Sequence, residues 1–244
     1  MPPILERDEV SPSAAEPAAE PAGSRLRFPA RSLVLVAGLP GAGKSTLLAR
    51  LYGMRGDESR PVRSGRVHVI DSRQARNRWA RRLRPLPPRA RIPLIYTTHL
   101  LWIVRALATG DPVVAHTRGT WTLLLHGLAR LARRHGASLH LVLLDVPPEV
   151  ARAGQVARGR VLTTAAFARH RRRWNRLMAR ARAGATSPAD TVTVLDRAAA
   201  DALAGIDFDP PVRPPAIGSR PGVARRGGSG HPGPGAVRRR DGRS

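Results

Sequence analysis

One stretch constrains the fold of this chain more than any other: Ser32–Thr46, which reads SLVLVAGLPGAGKST. Its unbroken apolar run, Ser32–Ala37, has the length and the Leu/Val content of a strand buried on both faces. The run passes directly into a glycine-rich turn and then into an amphipathic stretch, Lys44–Tyr52, expected to be helical. Gly38, Leu39, Pro40, Gly41, Ala42, Gly43, Lys44 and Ser45 satisfy the spacing G-x-x-x-x-G-K-[ST], and Thr46 continues it. The glycines admit backbone conformations closed to other residues and let the chain come close to an anion. Successive amides at the positive end of a helix form a nest for phosphate oxygens. In such a loop Lys44 reaches the β- and γ-phosphates and Ser45 offers its hydroxyl to Mg2+. Composition sharpens the reading. Of 42 basic residues only Lys44 is a lysine. Arginine is a broad planar fork and lysine a compact point charge on a thin stem, so a solitary lysine marks a place that arginine does not fill.

Along the rest of the chain, short apolar runs alternate with helical patterns. Strands are expected at Arg66–Ile70, Pro112–Ala115, Leu139–Leu144 and Thr191–Leu195. Helices are expected at Thr97–Ala108, Trp121–His135 (stopped by Gly136), Pro148–Ala157 and Ala165–Ala183, the last capped by Thr163 or Thr164. Strands alternating with helices predict an α/β fold with a parallel sheet covered on both faces. Ligands of such sheets gather at the C-terminal strand ends, where this chain presents its glycine loop and Asp71, Asp145 and Asp196.

One domain is expected over residues 31–210. Residues 1–30, rich in Pro, Ala and Glu with net charge −2, read as a disordered leader; residues 211–244, rich in Pro, Gly and Arg with net charge +7, read as a basic disordered tail. Apolar residues at 42% suffice for a packed core, and the absence of cysteine excludes disulfides, thiolate metal sites and a cysteine nucleophile. No apolar run approaches the roughly 18 residues of a membrane span. Glu6, Asp8 and Glu9 do not suit a secretory signal, so a cytoplasmic protein without a membrane partner is expected.

Several segments carry a resemblance. They are GLPGAGKST, Asp71-Ser72 after the second expected strand with Arg76 behind it, LVLLDVPPEVARAGQVARGR (Leu141–Arg160), FARHRRRW (Phe167–Trp174) and VLDR (Val194–Arg197). In these the chain resembles small P-loop kinases of the polynucleotide kinase, zeta-toxin and chloramphenicol-phosphotransferase type. It resembles more closely the short ATP-binding, AAA-family-ATPase chains common in actinobacteria. The resemblance spans about residues 31–200. It implies a P-loop NTPase fold with a parallel five-stranded sheet in order 2-3-1-4-5 and a helical lid after the fourth strand. It further implies ATP and Mg2+ as cofactors, with the γ-phosphate moved to an acceptor hydroxyl. No Asn-Lys-x-Asp signature is present, which favours ATP over GTP. In such proteins lid arginines neutralise the moving phosphate, and Arg152, Arg158 and Arg160 occupy that region. Asp71 matches the aspartate that takes the acceptor's proton, and Arg76 the arginine that binds the acceptor side. Asp71 equally suits the N-cap of a following helix.

The chain also departs from that pattern. Arg73 stands where a D-x-x-R motif ending at Arg76 would place its aspartate. The third expected strand ends Val113-Val114-Ala115-His116 with no Walker B acid, and Asp111 lies at its other end. His116 could bond a phosphate or act as a base, but a lone histidine at a strand end is more often structural. Asp145 belongs to the turn between sheet and lid. Mg2+ would rest on Ser45, the phosphates and water, with Asp71 the nearest acid. Ring assembly of the AAA+ kind is not expected.

Eight arginines fall between Arg73 and Arg91 and seven between Arg169 and Arg182, with Trp79 and Trp174 among them. The residues between the two tails carry +20, which favours an anionic partner and weak, salt-sensitive nucleic-acid binding. Phe167, Trp174, Leu177 and Met178 give the last long helix an apolar stripe. Two functions compete: a kinase acting on a small-molecule or nucleic-acid 5′ hydroxyl, and a nucleotide-binding regulatory or nucleic-acid-associated NTPase with little transfer. A toxin acting on nucleotide sugars is a third.

Overall fold

A computed structural model describes residues 24–117, 121–159 and 161–210. In chain order the elements are β1 (Arg25–Phe28), β2 (Ser32–Gly38), α1 (Lys44–Tyr52), β3 (Val62–Ser64), β4 (Val67–Ile70), α2 (Ser72–Trp79), α3 (Pro88–Ala108) and β5 (Val113–His116). There follow α4 (Thr122–Arg134), β6 (Ser138–Leu144), α5 (Pro148–Val156), α6 (Thr164–Arg182), β7 (Thr191–Leu195), α7 (Arg197–Ala202) and β8 (Gly205–Phe208).

The main sheet runs β3-β4-β5-β2-β6-β7. Its five inner-to-edge members β4-β5-β2-β6-β7 reproduce the expected order 2-3-1-4-5, and all their pairings are parallel. Two additions were not legible as strands. β3 joins β4 as an antiparallel edge, and β1 pairs with β8 in a separate two-stranded parallel ribbon. Arg25–Phe28, which the expected boundary at residue 30 assigned to the leader, is therefore part of the fold, with Phe28 buried. The tail expected at 211–244 and the rest of the leader lie outside the described residues.

β2 sits at the centre because every one of its side chains finds a core. Leu33, Leu35 and Ala37 face the layer made by α3, α4 and α6, among Ile103, Leu107, Leu125 and Trp174. Val34 and Val36 face the opposite layer, among Leu47, Leu48, Leu203 and Phe28. Burying each large aliphatic side chain stabilises by about 1.5–3 kcal/mol, so a strand with two apolar faces is held only in the middle of such a sandwich. Phe167, Trp174 and Met178 of α6 are buried and Leu177 packs partly against the same core, as the stripe predicts.

α3 begins at Pro88 rather than at Thr97. Pro88 occupies the first helical position, where its missing N–H costs nothing, and Pro93 forfeits one intrahelical bond. The apolar stripe of the helix, continued from Leu107 and Ile103 back to Ile92, carries the helix through that loss. The helix α2 had no apolar stripe to announce it; it is set by a capping box in which the Asp71 side chain accepts from Arg73 N at 2.8 Å and Gln74 Oε1 accepts from Asp71 N at 3.1 Å.

Candidate active site

The C-terminal ends of β2, β4 and β5 converge on the glycine loop. Gly41 and Gly43 have φ of 99° and 95°, in the left-handed region that favours glycine. At Gly41 there is a second reason: a Cβ there would stand 1.8 Å from the carbonyl oxygen of Ala151 in α5. Leu39 and Ala42 turn their side chains into the core, so the loop offers the cavity its backbone and little else. Thr46 is exposed.

Lys44, only 6% exposed, donates from Nζ to the carbonyl oxygens of Gly38 and Leu39, each at 2.8 Å. The ammonium is thus held over the loop's own mouth by the chain that encloses it. Ser45 lines the same cavity, and its hydroxyl helps to hold the Asp71 carboxyl down.

Asp71 ends β4, is 1% exposed, and does not line the cavity. Besides capping α2 it lies 3.1 Å from His116 Nδ1. A carboxylate can only accept, so the Nδ1 of His116 carries the proton. Burial pushes the Asp71 carboxyl up, but His116, the Ser45 hydroxyl and the Arg73 amide outweigh it and hold the group well below the usual carboxylate range. His116 ends β5 and does line the cavity. Burial pushes its imidazole pKa down, an effect only partly countered by Asp71. Asp71 and His116 are therefore one unit: the acid stands behind, the imidazole in front. Sequence reasoning treated them separately because they come from different strands 45 positions apart.

Arg76 and Arg73, from α2, both reach the cavity wall, as does Arg158 beyond α5, whose Nε donates to Gly154 O at 2.7 Å. Arg152 instead lies over the ring of Phe167, 5.9 Å from its centroid. Arg160 lies outside the described residues. Asp145 pairs with Arg182 at 2.8 Å, and Asp111 pairs with Arg63 and Arg66 at the far end of β5. Neither acid belongs to the site. Asp196 caps α7, accepting from Ala199 N.

Three contributors had no motif to reveal them. Gln155 of α5 is buried; its Nε2 donates to Pro40 O at 2.8 Å and its Oε1 accepts from Leu162 N at 3.0 Å. It ties the loop to the segment between α5 and α6. Its only sequence signal is a polar residue beside Gly154 on a helix of small side chains. His99 of α3 is 2% exposed beneath the Asp71–His116 pair, its pKa pushed down to about 4 by burial first and by the charge of His116 next. Tyr96, one turn earlier, lines the cavity.

A buried lysine heading a helix, behind left-handed glycines at the end of the central strand of a 2-3-1-4-5 parallel sheet, defines a small kinase-like P-loop protein. A family model described as AAA domain matches residues 33–184, and the chain belongs to that family. Among solved structures, one from the PezAT chromosomal toxin-antitoxin system of Streptococcus pneumoniae is 16% identical over 55% of this chain and 55% of that chain, with TM-score 0.42. This chain thus spans about half the length of that structure. A gluconokinase from Sinorhizobium meliloti 1021 is 18% identical over 73% of this chain and 93% of that one, with TM-score 0.43. The Deinococcus radiodurans tunicamycin resistance protein is 18% identical over 68% and 86%, with TM-score 0.39. Comparison with curated proteins yields no match. Among the described residues no helix is long and apolar enough to cross a membrane.

Proposed function

We propose that the protein binds Mg·ATP in the glycine loop and transfers the γ-phosphoryl group to a hydroxyl acceptor held in the adjoining cavity. The observation that carries this reading is the Asp71–His116 pair beside the glycine loop: the buried carboxylate lies 3.1 Å from the Nδ1 of His116, and His116 lines the same cavity as Lys44 and Ser45.

The residues present fit nucleotide and metal. The loop is a backbone cradle closed to any Cβ at Gly41, and Lys44 points into it. Among the described residues no cluster of three or more His, Cys, Asp or Glu could hold an ion by itself, which suits Mg2+, an ion that keeps phosphate and water ligands. Ser45 would hold it there. When bound, the metal neutralises phosphate charge. Lys44 moves from its carbonyl partners onto phosphate oxygens, while Arg76 and Arg158 provide fixed positive charge along the transfer path. Arg160, of the same lid segment, is assigned the same role. Asp71 keeps the imidazole in one tautomer, so that Nε2 can accept the acceptor's proton. The sequence reading made Asp71 itself the base; its burial favours the positioning role, with His116 in contact with the acceptor.

The rival reading is a nucleotide-binding regulatory or nucleic-acid-associated protein with little transfer. It is favoured by β5 ending in His116 rather than an acid. γ-Labelled ATP with Mg2+ decides between them, comparing wild type and Lys44→Ala with a 5′-hydroxyl oligonucleotide and a cell metabolite extract as acceptors. Lys44-dependent label on an acceptor is the expected outcome. Nucleotide binding with no such label in any fraction would sink the kinase reading.

A further inference from the structure

The cavity beside the glycine loop, about 640 Å³, has a lining of two unlike kinds. Lys44, Arg73, Arg76 and Arg158 supply the charged part of its lining. The apolar part comes from Ile92, Ile95 and Tyr96 of α3, Trp121 and Leu124 at the start of α4, and Leu162. We infer that the acceptor is a small alcohol with an apolar, ring-bearing body, seated against this apolar wall with its hydroxyl toward His116. The inference rests on the phosphotransfer reading and names its substrate class.

The first argument is geometric. The apolar stripe of α3 runs Ile92, Tyr96, His99, Ile103, Leu107, at helical spacing. At its C-terminal half the stripe meets the sheet, where Ile103 and Leu107 are buried in the main core. At its N-terminal half Ile92, Tyr96 and His99 of the same stripe line the cavity. Ile92 is 52% exposed and Trp121 55% exposed, both at the cavity. In a chain of 42 basic residues with four Trp and two Tyr, side chains of this kind on an accessible wall mark a binding surface.

The second argument is chemical. No carboxylate lines the cavity among the described residues, whereas vicinal hydroxyls are bound best by carboxylates and amides that accept two bonds at once. The one amide, Gln155, has both ends engaged by Pro40 and Leu162. Against Ile92, Ile95, Leu124 and Leu162 a sugar body would face aliphatic carbon and leave the hydroxyls on that side unpaired. A nucleic-acid strand would need positive charge continued along its backbone; at this wall the Arg173 guanidinium is engaged over the Trp121 ring, 5.6 Å from its centroid, and Arg81, Arg82 and Arg84 are exposed to solvent and do not line the cavity. Tyr96 and the remaining surface of Trp121 offer aromatic area on which a ring packs.

The transfer balances. The acceptor oxygen forms a bond to the γ-phosphorus as the bond from that phosphorus to the bridging oxygen breaks. The bonding pair leaves with ADP, and the hydroxyl proton passes to His116.

The test uses the full-length protein with Mg2+ and a non-hydrolysable ATP analogue. The probe is 2-naphthaleneethanol, with D-glucose and a 5′-hydroxyl oligothymidylate as alternatives, followed by calorimetric titration and by label transfer from γ-labelled ATP. The naphthyl alcohol is expected to bind saturably, and Trp121→Ala and Ile95→Ser should each weaken it about 10-fold, the size of one lost aromatic or aliphatic contact. Nucleotide affinity should stay within about twofold. Trp121 is half exposed, so its removal leaves the fold intact. Failure of the probe to bind, equal binding by both wall variants, or tighter binding of glucose or the oligonucleotide at the same wall overturns the inference. Wall-dependent binding without Lys44-dependent label overturns the transfer reading, and with it the acceptor role, while leaving the wall a ligand site.

Discussion

Lys44 and Asp71 are buried charges of opposite kinds, and their replacement should separate two functions. Lys44→Ala removes the cation over the loop; nucleotide affinity by calorimetry should fall on the order of 10²-fold, the scale of losing one preorganised charge-stabilising group. Asp71→Asn keeps the size and removes the charge that holds His116. Nucleotide affinity should change little, while the transfer rate falls on the order of 10²-fold and thermal unfolding comes earlier, since the cap of α2 is weakened as well. A fully active Asp71→Asn protein would remove the pair from the mechanism. His99 sets a pH dependence of stability. Its folded pKa, about 4, is below its ordinary value of 6.5, so the unfolded chain takes the proton first as pH falls. The contribution is complete above about pH 6.5 and is lost between there and pH 4, amounting to about 3 kcal/mol. Asp71, His116 and Arg76 all face this ring electrostatically. The depressed Asp71 carboxyl acts in the same direction but lower, present above pH 3.8 and lost beneath it. Urea unfolding at pH 7.5 and 5 should show the drop, and His99→Leu should flatten it.

At the scale of elements, α5 rests on the glycine loop backbone to backbone. A Cβ on Gly154 would lie 2.6 Å from Gly41 O. Gly154→Ala should therefore push the helix off the loop and weaken nucleotide binding several-fold although no side chain is lost, whereas Val150→Ala on the exposed face of the same helix should not. Much of this layer was legible. Strands buried on both faces show themselves as continuous apolar runs, and β2 and β6 followed from them; the order of the parallel sheet came from the resemblance to small P-loop kinases. What stayed hidden has physical causes. β1 and β3 are short and mostly exposed, so no continuous apolar run marks them, and β8 interrupts its run with Asp207; the equally short β4 and β5 were legible because their side chains are mostly apolar and largely buried. α2 has no buried stripe beyond Gln74 and Ala75 and is decided by a cap. α3 was expected only from Thr97, whereas it starts at Pro88 and runs through Pro93, a residue that weakens a helix but does not stop one whose stripe is packed. The loop was legible because one motif holds it. Gln155, His99 and Tyr96 were not, because a site assembled from separate helices leaves no spacing to read.

On the scale of the whole molecule, the β1–β8 ribbon closes one layer by way of Phe28, whose ring packs 4.7 Å from His140 and 6.3 Å from Phe208. Phe28→Ala should lower stability by about 3–5 kcal/mol in chemical denaturation, with nucleotide affinity per folded molecule unchanged. The surface is the other global property. Exposed arginines on α6 give a field without a groove code, so any association with DNA or RNA should be independent of sequence and fall steeply between 50 and 200 mM salt in a fluorescence-anisotropy titration.

The contact of Gly41 with α5 has a mechanical meaning as well. Between a loop and a lid, side chains act as padding that absorbs small displacements by changing rotamer. Here that padding is missing, and Gln155 fastens the remaining joint at both ends. The phosphate loop and Leu162 are therefore joined through one short path, backbone against backbone at Gly41 and Gly154 and through the two hydrogen bonds of Gln155.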